Sequence, residues 1–199
     1  QNSMKINLVK SKILFKPILQ LAGFFACIFF SVADAAQINI AGTRRGDVII
    51  RIDGPLELAD SRRFKELINI SKAQGQKISL VQLNSPGGAV RSGVEVALVI
   101  RDNKLKTVVS DNSVCASACF MLFAAGVIRE HHHNSKIGVH SVNMPNFGET
   151  VDAKSITVDM VRFLAGLGTP DAVLGRLVRM KPEEMAWLTP AELLLMSKT

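Results

Sequence analysis

The stretch ISLVQLNSPGGAVRSGVEVALVIRDN, residues 78–103, indicates the fold most clearly. Its first residues are mostly apolar and predict a strand over Ile78–Leu83. Asn84–Gly88 is rich in turn-forming residues and forms a tight loop. Apolar side chains then recur at helical spacing and predict a helix over Ala89–Asn103. A strand, a glycine loop and a helix in this order begin a βαβ unit, in which the strands run parallel.

Strand and helix patterns continue to alternate on both sides of this stretch. We predict further strands over Asp47–Asp53, Thr107–Ser110 and Lys136–Val142, and helices over Leu58–Lys72 and Ser117–Ala125. After residue 146 the pattern is helical, with helix starts marked by Thr169-Pro170 and Lys181-Pro182. The prediction is an α/β domain over residues 37–199, with a mostly parallel sheet and a helical C-terminal third.

Residues 1–36 differ in composition from the rest of the chain. Met4 is followed by four lysines, then by an apolar run over Ile18–Val32, and the segment closes on Ala33-Asp34-Ala35-Ala36. This order is typical of a secretory signal peptide cleaved after one of the last two alanines. We therefore expect residues 1–36 to be removed and the protein to be periplasmic or secreted. Gln1–Ser3 are expected to lie upstream of the start.

An uncleaved anchor is the alternative for this segment. It would hold the chain in the inner membrane through residues 17–33. The apolar run has about 15 residues, however, which is shorter than the ~20 needed to cross the hydrocarbon core.

The charge distribution does not indicate a nucleic-acid-binding surface. Loss of four lysines and Asp34 with the N-terminal segment lowers the formal net charge from +7 to +4. No cluster of Lys and Arg with interleaved aromatic residues follows, and the chain has no Tyr and one Trp. Base stacking needs exposed aromatic side chains, and phosphate binding needs clustered basic residues.

The loop Asn84-Ser85-Pro86-Gly87-Gly88 stands where open α/β sheets bind ligands, between the carboxyl end of a strand and the start of a helix. Its glycines let the backbone approach a ligand closely. The first N–H groups of a helix have no partner within it and can stabilise a developing oxyanion. A plain strand–helix turn is the alternative interpretation.

A second segment, Cys115-Ala116-Ser117-Ala118-Cys119, opens a strongly apolar helix. The neighbours of Ser117 are small, so a substrate can reach its hydroxyl, and the start of a helix has a positive potential. This is the arrangement of a nucleophile elbow, although not in the Gly-x-Ser-x-Gly form. The alternative is an N-cap serine, which is common at helix starts.

A third segment, Gly138-Val139-His140-Ser141, places a histidine at the end of an alternating strand. A single histidine in a strand is usually structural. His140 becomes a candidate because a serine nucleophile needs a base within hydrogen-bond reach near neutral pH.

Together, residues 81–142 resemble the proteolytic subunit of the Clp protease, and more closely the exported Clp-like proteins of bacterial periplasms. The family pattern is a strand, Asn-Ser-Pro-Gly-Gly, a helix, a strand, Ala-Ser-small, a helix, a strand and a histidine. The chain has Asn84–Gly88, Ala116-Ser117-Ala118 and His140 in this order. From Gly88 to Ser117 there are 29 positions, the spacing expected in that family. The resemblance implies the ββα superhelix shared by the Clp protease and the crotonases.

The resemblance also implies roles for individual residues. Ser117 would be the nucleophile and His140 its general base. The backbone N–H groups of Gly88 and Ala118 would form the oxyanion hole. Neither a cofactor nor a metal is implied, and a homo-oligomer is expected.

The third catalytic residue of the family is an acid, and here the sequence departs from the pattern. The position of that acid falls on Met185, just before Trp187-Leu188-Thr189. Glu184 is the nearest acid and the predicted third member, with Glu183 beside it. A missing acid would leave the imidazole less well oriented. The remoter acids are Asp171 and Asp159.

Two cysteines, Cys115 and Cys119, remain beyond the N-terminal segment. In an oxidising compartment they could form a disulfide that braces the elbow, provided that their Cα separation falls within ~4.4–6.8 Å. Two buried free thiols and a catalytic cysteine are the alternatives. No metal site is predicted, because no second ligand pair exists and the adjacent residues His131-His132-His133 point in different directions.

The implied function is an exported serine-type peptidase that acts through an acyl-enzyme. Its peptide or protein substrate would lie along Pro86 and Gly87 as an added strand. Activity should be ATP-independent, because a cytosolic Clp ATPase cannot reach an exported chain. The alternatives are a catalytically inactive oligomeric or binding module, crotonase-type acyl-CoA chemistry, which is cytosolic, and a membrane peptidase that uses Lys136 or Lys154 as base.

Overall fold

The computed structural model describes residues 35–42, 46–142, 151–181 and 183–197. The segment predicted to be a signal peptide lies almost entirely outside these residues. The strands are β1 (Gln37–Gly42), β2 (Val48–Asp53), β3 (Ile78–Asn84), β4 (Thr107–Val109), β5 (Val114–Ala116), β6 (Arg129–His131), β7 (Lys136–Val139) and β8 (Ala186–Trp187). The helices are α1 (Asp60–Ala73), α2 (Val90–Asp102), α3 (Ala118–Ala125), α4 (Val151–Gly166), α5 (Asp171–Arg179) and α6 (Pro190–Ser197).

The strands form one large sheet and one small sheet. The large sheet has the order β1-β2-β3-β4-β6, and every neighbouring pair is parallel except β1 with β2. The small sheet has the order β5-β7-β8, in which β5 and β7 are parallel and β8 is antiparallel to β7. The prediction of an α/β fold with a mostly parallel sheet is therefore confirmed.

Alternation along the strands determines which side chains enter the core. Val48, Ile50 and Ile52 of β2 are buried, and the residues between them are more exposed. In β3, Val81 and Leu83 are buried in the same way. The apolar face of each strand is thus covered by the helices, as the period of two predicts.

Helix α3 lies at the centre of the hydrophobic core. All eight of its residues are buried, with Phe120 and Phe123 among the largest side chains of the core. α2 packs between α1 and α3. A helix that is apolar on every side must be surrounded by protein, so the residue that begins α3 is held by a rigid interior.

A buried arginine fastens the C-terminal region to this core. Arg129 of β6 is 3% exposed. Its guanidinium donates hydrogen bonds to the carbonyl groups of Gly126 (3.3 Å), Met196 (3.2 Å) and Leu167 (2.6 Å). Burial lowers the pKa of Arg129 from its ordinary value, and the carbonyl groups supply the partners that a buried charge requires.

The structure corrects several predicted elements. The C-terminal third is not wholly helical, because β8 pairs with β7. β7 ends at Val139 and not at residue 142. β5 and β6 were not predicted because each has only three residues, and β1 was overlooked although Ile38 and Ile40 alternate with polar residues. The predicted helix start at Lys181-Pro182 is wrong, since Glu183 lies in a turn and the last helix begins at Pro190.

The start of α6 carries a sequence signature that the prediction overlooked. Thr189-Pro190-Ala191-Glu192 is a capping box with proline at the first helical position. The Glu192 carboxylate accepts a hydrogen bond from the Thr189 N–H (2.7 Å), and the Thr189 hydroxyl accepts one from the Glu192 N–H (3.3 Å). Within the described ranges, no helix combines the length and the hydropathy that crossing a bilayer requires.

Candidate active site

The loop Asn84–Gly88 connects the two sheets. The Asn84 side chain donates to Asp53 of β2 (3.0 Å) and accepts from the Val114 N–H of β5 (3.0 Å). The buried Ser85 pairs with the same strand through its backbone, which donates to the Val114 carbonyl at 2.6 Å. These polar residues, which the sequence interpretation left without a role, fix the loop at the carboxyl ends of the strands.

The two glycines of this loop are required by close backbone contacts. A Cβ on Gly87, whose φ is +102°, would stand 2.6 Å from the Ser117 Cβ and 2.7 Å from the Ala116 carbonyl oxygen. A Cβ on Gly88, whose φ is +137°, would stand 2.2 Å from the Leu56 carbonyl oxygen. No other residue fits either position, so the loop lies directly against Ser117.

Ser117 has the backbone conformation of a nucleophile elbow. Its φ is 54° and its ψ is −125°, between strand β5 and helix α3. Such a conformation is costly for a residue with a side chain and concentrates at functional sites. Ser117 occupies the N-cap position, but its hydroxyl makes no capping hydrogen bond. The structure therefore does not support the interpretation of Ser117 as a capping residue.

Two backbone N–H groups beside Ser117 are suited to an oxyanion hole. Ala118 is the first residue of α3, where an N–H has no acceptor within the helix. The residues on either side of Gly88 form backbone hydrogen bonds with Leu56. The Leu56 N–H donates to the Gly87 carbonyl, and the Ala89 N–H donates to the Leu56 carbonyl. This pattern turns the Gly88 N–H away from Leu56, and no described residue accepts a hydrogen bond from it.

Cys115 and Cys119, which stand two positions before and after Ser117, are joined by a disulfide. Their Cα atoms lie 5.2 Å apart, inside the range that such a bond requires. Both residues are 0% exposed. This pairing leaves neither sulfur as a thiolate, so a catalytic cysteine does not fit the structure.

His140 follows β7 and lies at the same end of the small sheet as Ser117. β5 and β7 pair with Ala116 opposite Gly138, and the Ser117 N–H donates to the Gly138 carbonyl (3.1 Å). No hydrogen bond joins the Ser117 hydroxyl to the His140 ring among the described residues. Catalytic hydrogen bonds of free enzymes are often long and tighten with substrate.

The His140 ring is half-buried, and this affects its proton affinity. Burial lowers the pKa of His140 below its ordinary value, while the Ser141 backbone acts in the opposite direction. The lowered pKa favours the neutral ring, which is the form that accepts a proton from serine. Its Nδ1 atom is buried and has no hydrogen-bond partner in the part of the chain that the structure describes.

Met185 stands where an orienting acid would be expected. β7 and β8 pair with Gly138 opposite Trp187 and Val139 opposite Ala186. One further step in this antiparallel register places Met185 opposite His140. A Cβ on Gly138 would lie 2.8 Å from the Met185 sulfur, so the methionine side chain lies against β7.

The acids proposed as substitutes make no hydrogen bond to His140 among the described residues. Glu183 and Glu184 are exposed, and neither forms a hydrogen bond with His140. Asp159 pairs with Arg162 (3.1 Å), and Asp171 is exposed at the start of α5. The role of Glu184 stays a prediction.

The other candidate side chains are placed as follows. Lys136 lies 5.9 Å from the centre of the Trp187 ring, as a cation over an aromatic face. Lys154 lies on α4 and, with Ser141, lines a cavity of about 570 Å³. His132 faces Asp111, with 3.4 Å from Nδ1 to the carboxylate. Across the described residues, no three His, Cys, Asp or Glu side chains converge as metal ligands.

Solved structures share this architecture. The chain superposes on a serine-to-alanine mutant of the 1510-N membrane-bound stomatin-specific protease with a TM-score of 0.57 and 16% identity, covering 74% of each chain. It superposes on ClpP1 from Listeria monocytogenes with a TM-score of 0.57 and 19% identity, covering 75% of this chain and 86% of the other. The fold is that of the Clp-type serine proteases.

A further structure with the Clp-type fold is a lysine-to-alanine mutant of the 1510-N protease in complex with a substrate peptide. It matches with a TM-score of 0.53 and 16% identity over 74% of this chain and 70% of the other. No protein-family model and no curated protein matches the chain. At these identities the comparison establishes the fold, so the chemistry must be argued from the residues.

Proposed function

We propose that this protein is a serine-type peptidase in which Ser117 attacks a peptide carbonyl and forms an acyl-enzyme. The observation that carries the proposal is the strained backbone of Ser117 combined with its unused hydroxyl. The protein core maintains this conformation although the hydroxyl makes no hydrogen bond within the described residues. A conformation of this kind is explained when the hydroxyl is needed for chemistry.

In the proposed reaction, neutral His140 accepts the hydroxyl proton as the Ser117 oxygen bonds to the carbonyl carbon. The carbonyl oxygen becomes negative and lies between the N–H groups of Gly88 and Ala118. The imidazolium then gives its proton to the leaving amine. Water hydrolyses the acyl-enzyme by the same steps in reverse order. The substrate backbone would extend along Pro86, which is exposed, and Gly87.

The rate should be modest if His140 has no orienting acid, since none forms a hydrogen bond with it among the described residues. With no partner for Nδ1 among the described residues, the tautomer that presents a free nitrogen to serine is not fixed by them. Loss of the acid in a serine protease triad lowers the rate by about 10⁴-fold while the dyad still works. A catalytically inactive binding module is the alternative that this feature favours.

Labelling with a fluorophosphonate probe, which reacts with activated serines, tests the proposal. We expect the wild type to be labelled at Ser117 and Ser117→Ala to be unlabelled. Because the hydroxyl makes no capping bond, this change should alter the free energy of unfolding by less than about 0.5 kcal/mol. Ser113→Ala, in the preceding loop, is the matched control and should label like wild type. Absence of labelling in the wild type would support the binding module.

The same assay shows whether histidine or lysine acts as the base. His140→Ala should lower the labelling rate by about 10²-fold or more, and Lys154→Ala should leave it unchanged. The reverse result would assign the chain a lysine base. The comparison matters because one of the structural neighbours is a lysine-to-alanine mutant with a bound substrate peptide.

We further propose export and self-association. The order of basic, apolar and small residues within residues 1–36 supports export, and so does the disulfide, because disulfides persist in oxidising compartments. N-terminal sequencing of protein from a periplasmic fraction tests cleavage, and an intact Met4 would contradict it. Exposed apolar side chains such as Ile128 and Leu194 support a homo-oligomer, which light scattering would test.

A further inference from the structure

We propose that the Cys115–Cys119 disulfide is a positioning element for the nucleophile, so that the protein becomes fully active only when this bond forms. The inference rests on the proposed role of Ser117. It goes beyond the nucleophile role of Ser117, because it states the condition under which Ser117 can react. The disulfide can act in this way because of the two segments that it connects.

The disulfide links the end of a strand to the first turn of a helix. Cys115 is in β5, and Cys119 is the second residue of α3. Ser117 lies midway between them, at the point where the chain reverses with φ of 54°. The bond therefore closes a short covalent loop, with a sequence separation of 4, around the strained residue.

The same bond links the two parts of the oxyanion hole. The backbone of Cys115 is bridged to Ser85, because the Ser85 N–H bonds to Val114 and the Ala116 N–H bonds to Ser85 (3.1 Å). Ser85 in turn holds the Gly87 N–H through its hydroxyl (3.2 Å). On the other side, Cys119 follows Ala118 directly. Fixing Cys115 to Cys119 thus fixes the Ala118 N–H relative to the glycine loop.

The packing of α3 and a few backbone contacts hold Ser117, and the disulfide adds a covalent link across the elbow. The Ser117 hydroxyl does not cap the helix, and its backbone is held by one bond to Gly138 and one from Phe120. A strained conformation persists only where the surroundings determine it fully. Without the covalent link, we expect the first turn of α3 to relax and Ser117 to leave the reactive geometry.

Formation of the bond is an oxidation that needs a partner. The Cys115 and Cys119 thiols each lose a proton, and their two electrons reduce the disulfide of a thiol–disulfide exchange partner to two thiols. Because both sulfurs are fully buried in the folded protein, a reductant outside cannot reach the bond once it has formed. Formation of the disulfide is therefore a single activation step during folding in an oxidising compartment. The bond is not reversibly reduced and reoxidised in the folded protein.

The test compares two redox forms of the wild type. The protein is unfolded with a thiol reductant and refolded either with that reductant or with oxidised glutathione, and intact mass identifies each form. We expect both forms to fold, as judged by circular dichroism, and the reduced form to react with the fluorophosphonate at least tenfold more slowly at saturating probe. Probe affinity and the pH midpoint should change little, since His140 and the binding loop are retained.

Three comparisons make the result decisive. Native protein incubated with the reductant without unfolding should keep its disulfide and its labelling rate, which controls for the reagent. A second cycle of unfolding and refolding with oxidised glutathione should restore labelling in the reduced wild type but not in Cys115→Ala/Cys119→Ala. Equal labelling of the two folded redox forms would overturn the positioning role and leave the serine chemistry intact. Absence of labelling in the oxidised form would overturn both proposals.

Discussion

Replacing Met185 with aspartate should convert the proposed dyad into a triad. Extending the β7–β8 register by one residue places residue 185 opposite His140, and side chains that face each other across antiparallel strands have Cβ atoms about 4.5–5.5 Å apart. An aspartate of that reach can accept a hydrogen bond from an imidazole nitrogen. Nδ1 of His140 is buried and has no partner in the described residues, so Met185→Asp would supply the missing acceptor.

The expected gain follows from the energetics of such a pair. A carboxylate about 4 Å from an imidazolium contributes up to about 4 kcal/mol at an effective dielectric constant of 20, and desolvation of both groups removes part of this. We expect the labelling rate at pH 7 to rise by about 10²-fold, equivalent to about 2.7 kcal/mol in the activation barrier. Met185 is half-buried, so the substitution should lower the free energy of unfolding by about 1–2 kcal/mol.

The pH dependence provides a second measurement. His140 must be neutral to accept the serine proton, so the rate falls as the pH drops through the pKa of His140. In the wild type, burial holds that pKa below its ordinary value of 6.5. A carboxylate at residue 185 favours the imidazolium and raises the pKa. The acid limb of the profile should therefore move to higher pH in Met185→Asp.

The control is Met185→Asn, which can accept the same hydrogen bond without adding a charge. It should give a smaller gain in rate and no shift of the acid limb. Fluorophosphonate labelling measured from pH 4 to 9 distinguishes these outcomes. If Met185→Asp folds but neither accelerates labelling nor moves the limb, residue 185 does not orient His140 and the inferred register fails.

Three further changes test the remaining features. Gly87→Ala places a Cβ 2.6 Å from that of Ser117. It should lower the free energy of unfolding by about 2–4 kcal/mol and abolish most labelling. Its control is Gly75→Ala, at a residue with φ of +66° and open space around it, which should cost about 1 kcal/mol and retain labelling. If Glu184 orients His140, Glu184→Gln should slow labelling by about 10²-fold; an unchanged rate would exclude that role. Arg129→Met leaves three carbonyl groups without their donor and should lower the free energy of unfolding in urea by about 3 kcal/mol. Arg91 is exposed, so its control Arg91→Met should lower it by under about 0.5 kcal/mol. Equal losses would refute the anchoring role of Arg129.

Local sequence patterns were sufficient to establish the order of the main elements. Apolar alternation in β2 and β3 and helical spacing in α1 and α2 are local properties, and the structure confirms the elements to within one or two residues. The loop Asn84–Gly88 was recognisable for the same reason. Two adjacent glycines between a strand and a helix indicate a backbone that must bend sharply or be approached closely.

How the site residues meet depends on tertiary packing. The short strands β5, β6 and β8 exist because neighbouring strands pair with them, and two or three residues carry too little periodicity to reveal them in sequence. The strain at Ser117 and its unused hydroxyl are visible only once α3 is packed in the core. Methionine falls opposite His140 when the β7–β8 register is extended by one residue. Register between strands distant in sequence is set by packing across the whole sheet and not by any local pattern.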